Sequence, residues 1–66
     1  MTSPTVTRAL AAYDRALAAY DRAATNLSTE RVFDPNGASF RSASLRLARA
    51  DEALSRASTR LRAARR

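Results

Sequence analysis

The first half of the chain carries a seven-residue phrase, RALAAYD, that is written twice without a change. In and around this repeat, large apolar side chains recur at alternating intervals of three and four residues, which is the spacing of one stripe along a helix. The stripe consists of Val6, Leu10, Tyr13, Leu17, Tyr20, Ala24 and Leu27. This pattern predicts an amphipathic helix whose apolar stripe needs a second helix to cover it.

The second half of the chain carries another stripe with the same alternation. Its members are Phe40, Ala43, Leu47, Ala50, Leu54, Ala57, Leu61 and Ala64. Between the two stripes lies the segment Asp34-Pro35-Asn36-Gly37, whose Asp, Pro and Gly stand at the positions that a type I turn prefers. The sequence therefore predicts two helices joined by a turn, and an all-α fold.

The boundaries of the two helices follow from capping signals. Ser3 followed by Pro4 suits an N-cap and the first position of a helix. We expect one domain over residues 1–66, with the first helix over about 4–29, the turn over about 30–38 and the second helix over about 39–65. Two starts of the second helix remain open. Either Asp34 is its N-cap and Pro35 its first residue, or the helix begins after Ser39.

An antiparallel two-helix hairpin, similar to a coiled coil, is the fold that pairs the two stripes. In the pairing that we assign, the numbers of facing residues add to 67, so Tyr13 faces Leu54 and Leu17 faces Ala50. The tyrosine hydroxyls are expected at the edge of the seam, where water can satisfy them. The large seam residues are Val6, Leu10, Tyr13, Leu17, Tyr20, Leu27, Phe40, Leu47, Leu54 and Leu61.

The amount of apolar surface that such a hairpin can bury is small. The chain has 66 residues, of which 45% are hydrophobic, and many of these are alanine. Disulfides cannot support the fold and a metal site is nearly excluded, because the sequence contains no Cys and no His. We therefore expect the hairpin to be completed by oligomerisation or by a partner protein.

A second stripe on the first helix is made of alanine alone. It consists of Ala9, Ala12, Ala16, Ala19 and Ala23. One interpretation is that this stripe packs against a partner helix, next to a row of arginines on the second helix that contacts acidic side chains; this row is Arg46, Arg49, Arg56 and Arg60. The other interpretation is that alanine is only a good helix former in a chain with a GC-rich coding bias.

Arginine supplies the whole of the positive charge, since the chain contains twelve Arg, no Lys and six acidic residues, for a net charge of +6. A basic pole is expected at the end of the hairpin opposite the turn. Its members are Arg8, Arg62, Arg65 and Arg66. This pole is a candidate contact for an acidic protein surface or for nucleic acid.

The residues that usually carry catalysis are scarce. There is no His, Cys or Lys, and the heptad-spaced Asp14 and Asp21 are typical of a solvated helix flank. We expect no enzyme, no cofactor, no metal and no small-molecule substrate. The N-terminal segment MTSPTVT does not resemble a signal peptide, and charges interrupt every apolar run. The expected location is therefore the cytoplasm or a virion, with no membrane partner.

Together these features predict a non-enzymatic structural module that docks on a larger assembly or on copies of itself. The concrete expectation is a small virion accessory protein, minor capsid or capsid-stabilising, of a phage of a high-GC bacterium. The alternative is a small arginine-rich nucleic-acid-binding protein, in which the same arginines contact phosphates.

Overall fold

The computed structural model describes residues 3–66, which form two α-helices and one tight connection. Helix α1 runs over Pro4–Phe33 and helix α2 over Ala38–Ala64. The two helices pack against each other along their length, and the four-residue connection makes them antiparallel. The all-helical hairpin predicted from the two stripes is thus confirmed.

Helix α1 begins as predicted and ends later. The hydroxyl of Ser3 accepts a hydrogen bond from the backbone N–H of Val6 at 3.2 Å, and Pro4 occupies the first turn. The helix continues to Phe33, four residues beyond the expected end, because no glycine or proline interrupts it before Pro35. Asp34 precedes a proline, which pushes its backbone out of the helical region, and α1 ends there.

The connection is a turn over residues 34–37, closed by a hydrogen bond from the N–H of Gly37 to the carbonyl of Asp34 at 3.2 Å. Helix α2 begins at Ala38 with Gly37 as its N-cap, which excludes Asp34 as the N-cap and lies within two residues of the alternative start after Ser39. The carboxylate of Asp34 lies directly over Gly37, where a Cβ atom would collide with it. A larger residue at position 37 would require the exposed Asp34 side chain to move aside.

The core between the helices is formed by the smallest apolar side chain. Three alanines are buried, namely Ala9, Ala43 and Ala57, with exposed fractions of 3%, 1% and 8%. The side of α2 that faces α1 is the stripe predicted from Phe40 to Ala64, all of whose members are buried or half-buried. On α1, by contrast, Ala9 is buried while Leu17 is 38% exposed.

The side of α1 that faces α2 is therefore rotated from the predicted stripe toward the alanines. Its members at three-four spacing are Ala9, Tyr13, Ala16, Tyr20, Ala23 and Leu27, all buried or half-buried. The assignment of Leu17 to the seam is corrected by this rotation. Leu10 and Val6 are half-buried at the margin of the contact.

The length of the connection explains the rotation. Because α1 ends at Phe33 and α2 begins at Ala38, facing residues have numbers that add to about 70, not 67. With this pairing, Tyr13 lies opposite Ala57 and Ala16 lies opposite Leu54, so a large side chain meets a small one in each pair. Tyr13 and Leu54 still line one cleft, so they remain neighbours. Small residues at every layer let the two backbones approach closely.

The hairpin is long and thin, with extents of 49 × 15 × 11 Å and a radius of gyration of 14.9 Å. A compact domain of this length would have a radius of gyration of about 11 Å. The accessible surface is 5057 Å², whereas a compact protein of 7.2 kDa exposes roughly 4,100 Å². A single copy therefore leaves more surface exposed than folded monomers of its mass usually do.

Candidate interaction surfaces

A two-helix hairpin has two broad faces, and arginines mark one of them. Arg22 of α1 and Arg46 of α2 line the same shallow depression, so their side chains lie on the same face of the hairpin. The remaining lining residues of this depression are Ala19, Ala23, Asn26 and Ala50. The depression thus has an alanine floor and an arginine at either side.

Heptad spacing extends this arrangement along both helices. Arg8 and Arg15 precede Arg22 by two heptads and one heptad, and Arg60 follows Arg46 by two heptads, so they share the same rows. Arg49 and Arg56 lie in the neighbouring row of α2, on its outer side. All these side chains are exposed. The arginine face is hereafter the set Arg8, Arg15, Arg22, Arg46, Arg49, Arg56 and Arg60.

The arginines of the two helices lie at matching levels. With facing numbers that add to about 70, Arg60 lies near the level of Arg8, Arg56 near that of Arg15, and Arg49 near that of Arg22. Seven residues of helix rise by about 10 Å. The arginine face therefore presents three levels of guanidinium groups, each about 10 Å from the next.

Carboxylates are nearly absent from this face. Within residues 3–66 the structure contains one ion pair, between Arg56 and Glu52 at 3.6 Å, and it lies at the outer edge of α2. Both side chains of this pair are 69% exposed, so its contribution to stability is small. The other guanidinium groups of the face have no carboxylate within 4 Å among the described residues. The positive electrostatic potentials of these guanidinium groups add, so the arginine face attracts anionic groups.

The alanine stripe predicted to receive a partner helix lies against α2 of the same chain. Ala9 is in the core and is not available to a partner, while Ala12, Ala16, Ala19 and Ala23 are half-buried. The rotation of α1 is the physical reason, since it turns this side of the helix inward. The arginines predicted beside the stripe are exposed, and their contact with a partner stays a prediction.

The opposite face carries the leucines that the rotation leaves uncovered. A cleft on this face is lined by Leu10, Tyr13, Asp14, Ser58, Leu61, Arg62 and Arg65. Leu17 and Asp21 follow Leu10 and Asp14 by one heptad, and Asp51 precedes Ser58 by one heptad. The leucine face is hereafter the set Leu10, Tyr13, Asp14, Leu17, Asp21, Asp51 and Ser58. It combines an apolar row with three exposed carboxylates, and Arg62 and Arg65 lie beside it at the open end of the hairpin.

The predicted basic pole is divided between the two faces. Arg62 and Arg65 line the cleft on the leucine face, whereas Arg8 belongs to the arginine face. Arg66 is exposed at the end of the chain, beyond α2. The helical spacing of Arg62 and Arg65 relative to Arg60 already places them on a different side of α2.

Three exposed apolar side chains escaped the sequence reasoning. Val32 and Phe33 are 76% and 80% exposed at the end of α1, and Leu45 is 53% exposed on the outer side of α2. Val32 and Phe33 were placed in the turn because the helix was expected to end earlier. The exposure of Leu45 could have been predicted from the sequence. Leu45 is two residues from both Ala43 and Leu47, and residues two apart on a helix point in different directions, so Leu45 points away from the side that faces α1.

Other kinds of site have no support in the described residues. Residues 3–66 contain no group of three or more potential metal-ligating side chains, and neither helix is long and apolar enough to span a membrane. Comparison of the chain with models of protein families, with curated proteins and with solved structures finds no match. The function must therefore be argued from the two faces of the hairpin.

Proposed function

We propose that this protein is a non-enzymatic structural module that uses its arginine face to dock on an acidic surface of a larger protein assembly. The observation that carries the proposal is the segregation of charge. Seven exposed arginines share one face, and among the described residues only Glu52, at the outer edge, is paired with any of them.

The spacing of the arginines suits a helical partner. Arg8, Arg15 and Arg22 recur every seven residues, so a partner helix with carboxylates at the same interval meets a guanidinium at each level. Arginine is effective in this role because its planar group can hold a carboxylate through two hydrogen bonds. The alanine floor between Arg22 and Arg46 lets a partner backbone approach closely.

A small virion accessory protein, minor capsid or capsid-stabilising, of a phage of a high-GC bacterium is the setting that we propose for this module. Its support is compositional: a short chain whose basic residues are all arginine, rich in alanine and without His or Cys. A helical hairpin with one arginine-rich face is a suitable unit for joining larger subunits in such a particle.

Nucleic-acid binding is the second candidate, because the same arginines can contact phosphates. The arginine face is broad and is formed by both helices, so it can contact the phosphate backbone of a nucleic acid. It has no protruding helix that could enter a groove and read the bases. Tyr13, one of two tyrosines in the sequence, lines clefts on the opposite face and is not placed to stack on bases beside these arginines. Protein docking is therefore the assignment that we prefer.

Binding measurements with two labelled probes separate the candidates. One probe is a helical peptide of about three heptads with glutamate at heptad spacing, and the other is a random-sequence DNA duplex. The test variant is Arg15→Glu/Arg22→Glu, and the matched control is Arg31→Glu/Arg41→Glu, which makes the same charge change away from the arginine face. Fluorescence anisotropy reports the Kd of each protein for each probe.

We expect the test variant to bind the acidic peptide roughly tenfold more weakly than the control does, a difference of about 1.4 kcal/mol. Equal weakening in both double variants would mean that net charge, and not the arginine face, binds the peptide. Tighter binding of DNA than of peptide at physiological salt, with a log–log salt slope near −0.9 per phosphate, would favour the nucleic-acid function instead.

A further inference from the structure

We propose that the acidic surface received by the arginine face is the leucine face of a second copy of this chain. Copies then stack head to tail, each with its leucine face on the arginine face of the next. This inference rests on the proposed function and names the partner of the same site. It follows from three properties of the hairpin, which are its burial, its charges and the shapes of its two faces.

The hairpin alone leaves apolar surface that a second copy can cover. The core consists of Ala9, Ala43 and Ala57, and no larger side chain of the described residues is fully buried. The accessible surface of 5057 Å² exceeds the roughly 4,100 Å² of a compact protein of this mass. Leu17 is 38% exposed on a face that no part of residues 3–66 covers. Stacking on that face removes apolar surface that the hairpin alone leaves in water.

The charges of the two faces are complementary along α1, whereas on α2 the leucine face also has Arg62 and Arg65 at the open end of the hairpin. The leucine face carries Asp14, Asp21 and Asp51, none of which has a cation within 4 Å among the described residues. Asp14 and Asp21 are one heptad apart, as are Arg15 and Arg22 on the other face. The carboxylates and the guanidinium groups of α1 therefore repeat with the same rise of about 10 Å.

The shapes of the two faces are also complementary when the α1 helices of stacked copies run in the same direction. The row of Leu10 and Leu17 then lies over the half-buried alanines of the arginine face, of which Ala12 and Ala19 are nearest in level. Asp14 and Arg15 both lie on the side of α1 away from α2, so the aspartates of one copy meet the arginines of the next at the outer edge. Large side chains thus meet small ones, and opposite charges flank them.

Symmetric pairing of two copies is less favourable by the same criteria. Two arginine faces in contact would place guanidinium groups against each other. Two leucine faces in contact would leave the arginine faces of both copies without carboxylates. A head-to-tail contact brings the aspartate row of α1 in one copy to the arginine row of the next, and guanidinium groups meet only at the open end, where Arg62 and Arg65 lie. Because this contact does not close on itself, the assembly grows with protein concentration.

The test uses the full chain and two variants that each block one face. Leu17→Arg places a bulky cation on the leucine face, and Arg15→Glu/Arg22→Glu reverses two charges on the arginine face. In sedimentation velocity we expect the mass of the natural chain to rise steadily with concentration, while each variant alone stays a single chain. An equimolar mixture of the two variants should form a one-to-one complex, since each retains the face that the other has lost.

Control variants make the outcome decisive. Leu45→Arg introduces the same cation at an exposed leucine on the outer side of α2, and it should assemble as the natural chain does. Circular dichroism follows folding, and if a variant is unfolded alone, a gain of helix on mixing still reports the complex. Assembly of Arg15→Glu/Arg22→Glu by itself, or absence of a complex in the mixture, would overturn the inference.

The proposed function can stand or fall separately from this inference. Leu17→Arg keeps an intact arginine face, so its binding of the acidic helical peptide tests docking without self-assembly. If this variant binds the peptide but does not pair with Arg15→Glu/Arg22→Glu, the second copy is the wrong partner and the docking function remains. If it binds neither, both proposals are wrong.

Discussion

Aspartate substitutions at Leu47 and Leu17 should have unequal effects on the stability of the hairpin. The two leucines have the same side chain, and both belong to the stripes identified in the sequence. In the structure, Leu47 is half-buried in the contact between the helices, whereas Leu17 is 38% exposed on the leucine face. The pair therefore tests the rotation of α1 directly.

The expected magnitudes follow from burial. Leu47→Asp removes roughly half of the apolar contact that a fully buried leucine makes, about 1–1.5 kcal/mol, because Leu47 is half-buried. It also forces a carboxylate against α1, which adds a desolvation cost of about 1–3 kcal/mol. A single core of this size supplies no more than about 3–5 kcal/mol, so the variant should be largely unfolded. Leu17→Asp leaves its carboxylate at the solvent boundary and should cost about 1 kcal/mol or less in a single chain.

Thermal melting followed by circular dichroism measures these effects, at a dilution where sedimentation shows single chains. Leu45→Asp is the control, since this leucine is 53% exposed on the outer side of α2 and carries no packing. For a domain of this size, 1 kcal/mol shifts Tm by roughly 4–8 °C. Equal loss of helix in Leu47→Asp and Leu17→Asp would refute the rotation and restore the seam with Leu17 in its centre.

Three further substitutions test local features. Ala43→Leu should lower Tm by roughly 10 °C, because overpacking at a 1%-exposed site costs about 1–3 kcal/mol. The control Ala48→Leu, on the exposed side of α2, should leave Tm unchanged, and equal Tm values in the two variants would contradict the close approach of the two helices. Ser3→Ala should cost about 1 kcal/mol by removing the N-cap of α1, and unaltered amide exchange there would oppose this. Gly37→Ala should cost about 0.5–1 kcal/mol in denaturant unfolding, because alanine is a poorer N-cap than glycine and its Cβ requires the Asp34 side chain to move. A stabilised variant would contradict this role of Gly37.

The sequence by itself determined that the chain forms a helical hairpin. Stripes with three-four spacing on both sides of a segment with strong turn residues leave few other folds, and Ser3-Pro4 marks the start of α1 correctly. The inward side of α2 was also predictable, because that helix carries only one apolar stripe. Exposed arginines along its flank followed from the same spacing.

Only the tertiary structure decided which side of α1 faces α2. Helix α1 carries a leucine row and an alanine row, both with heptad spacing, and either can meet the stripe of α2. Residue size favours the leucines, which is why the sequence reasoning chose them. The four-residue connection sets the levels of the two helices, and at those levels the alanines allow the closer approach.

The two candidate faces depend on the same decision. Arg8, Arg15 and Arg22 join the arginines of α2 on one face only because α1 is rotated, and the same rotation exposes Leu17 on the other. Spacing along a helix determines which residues share a row, but not which neighbour that row meets. That choice is made by the packing of one helix on another, where the length of the connection and the bulk of facing side chains act together.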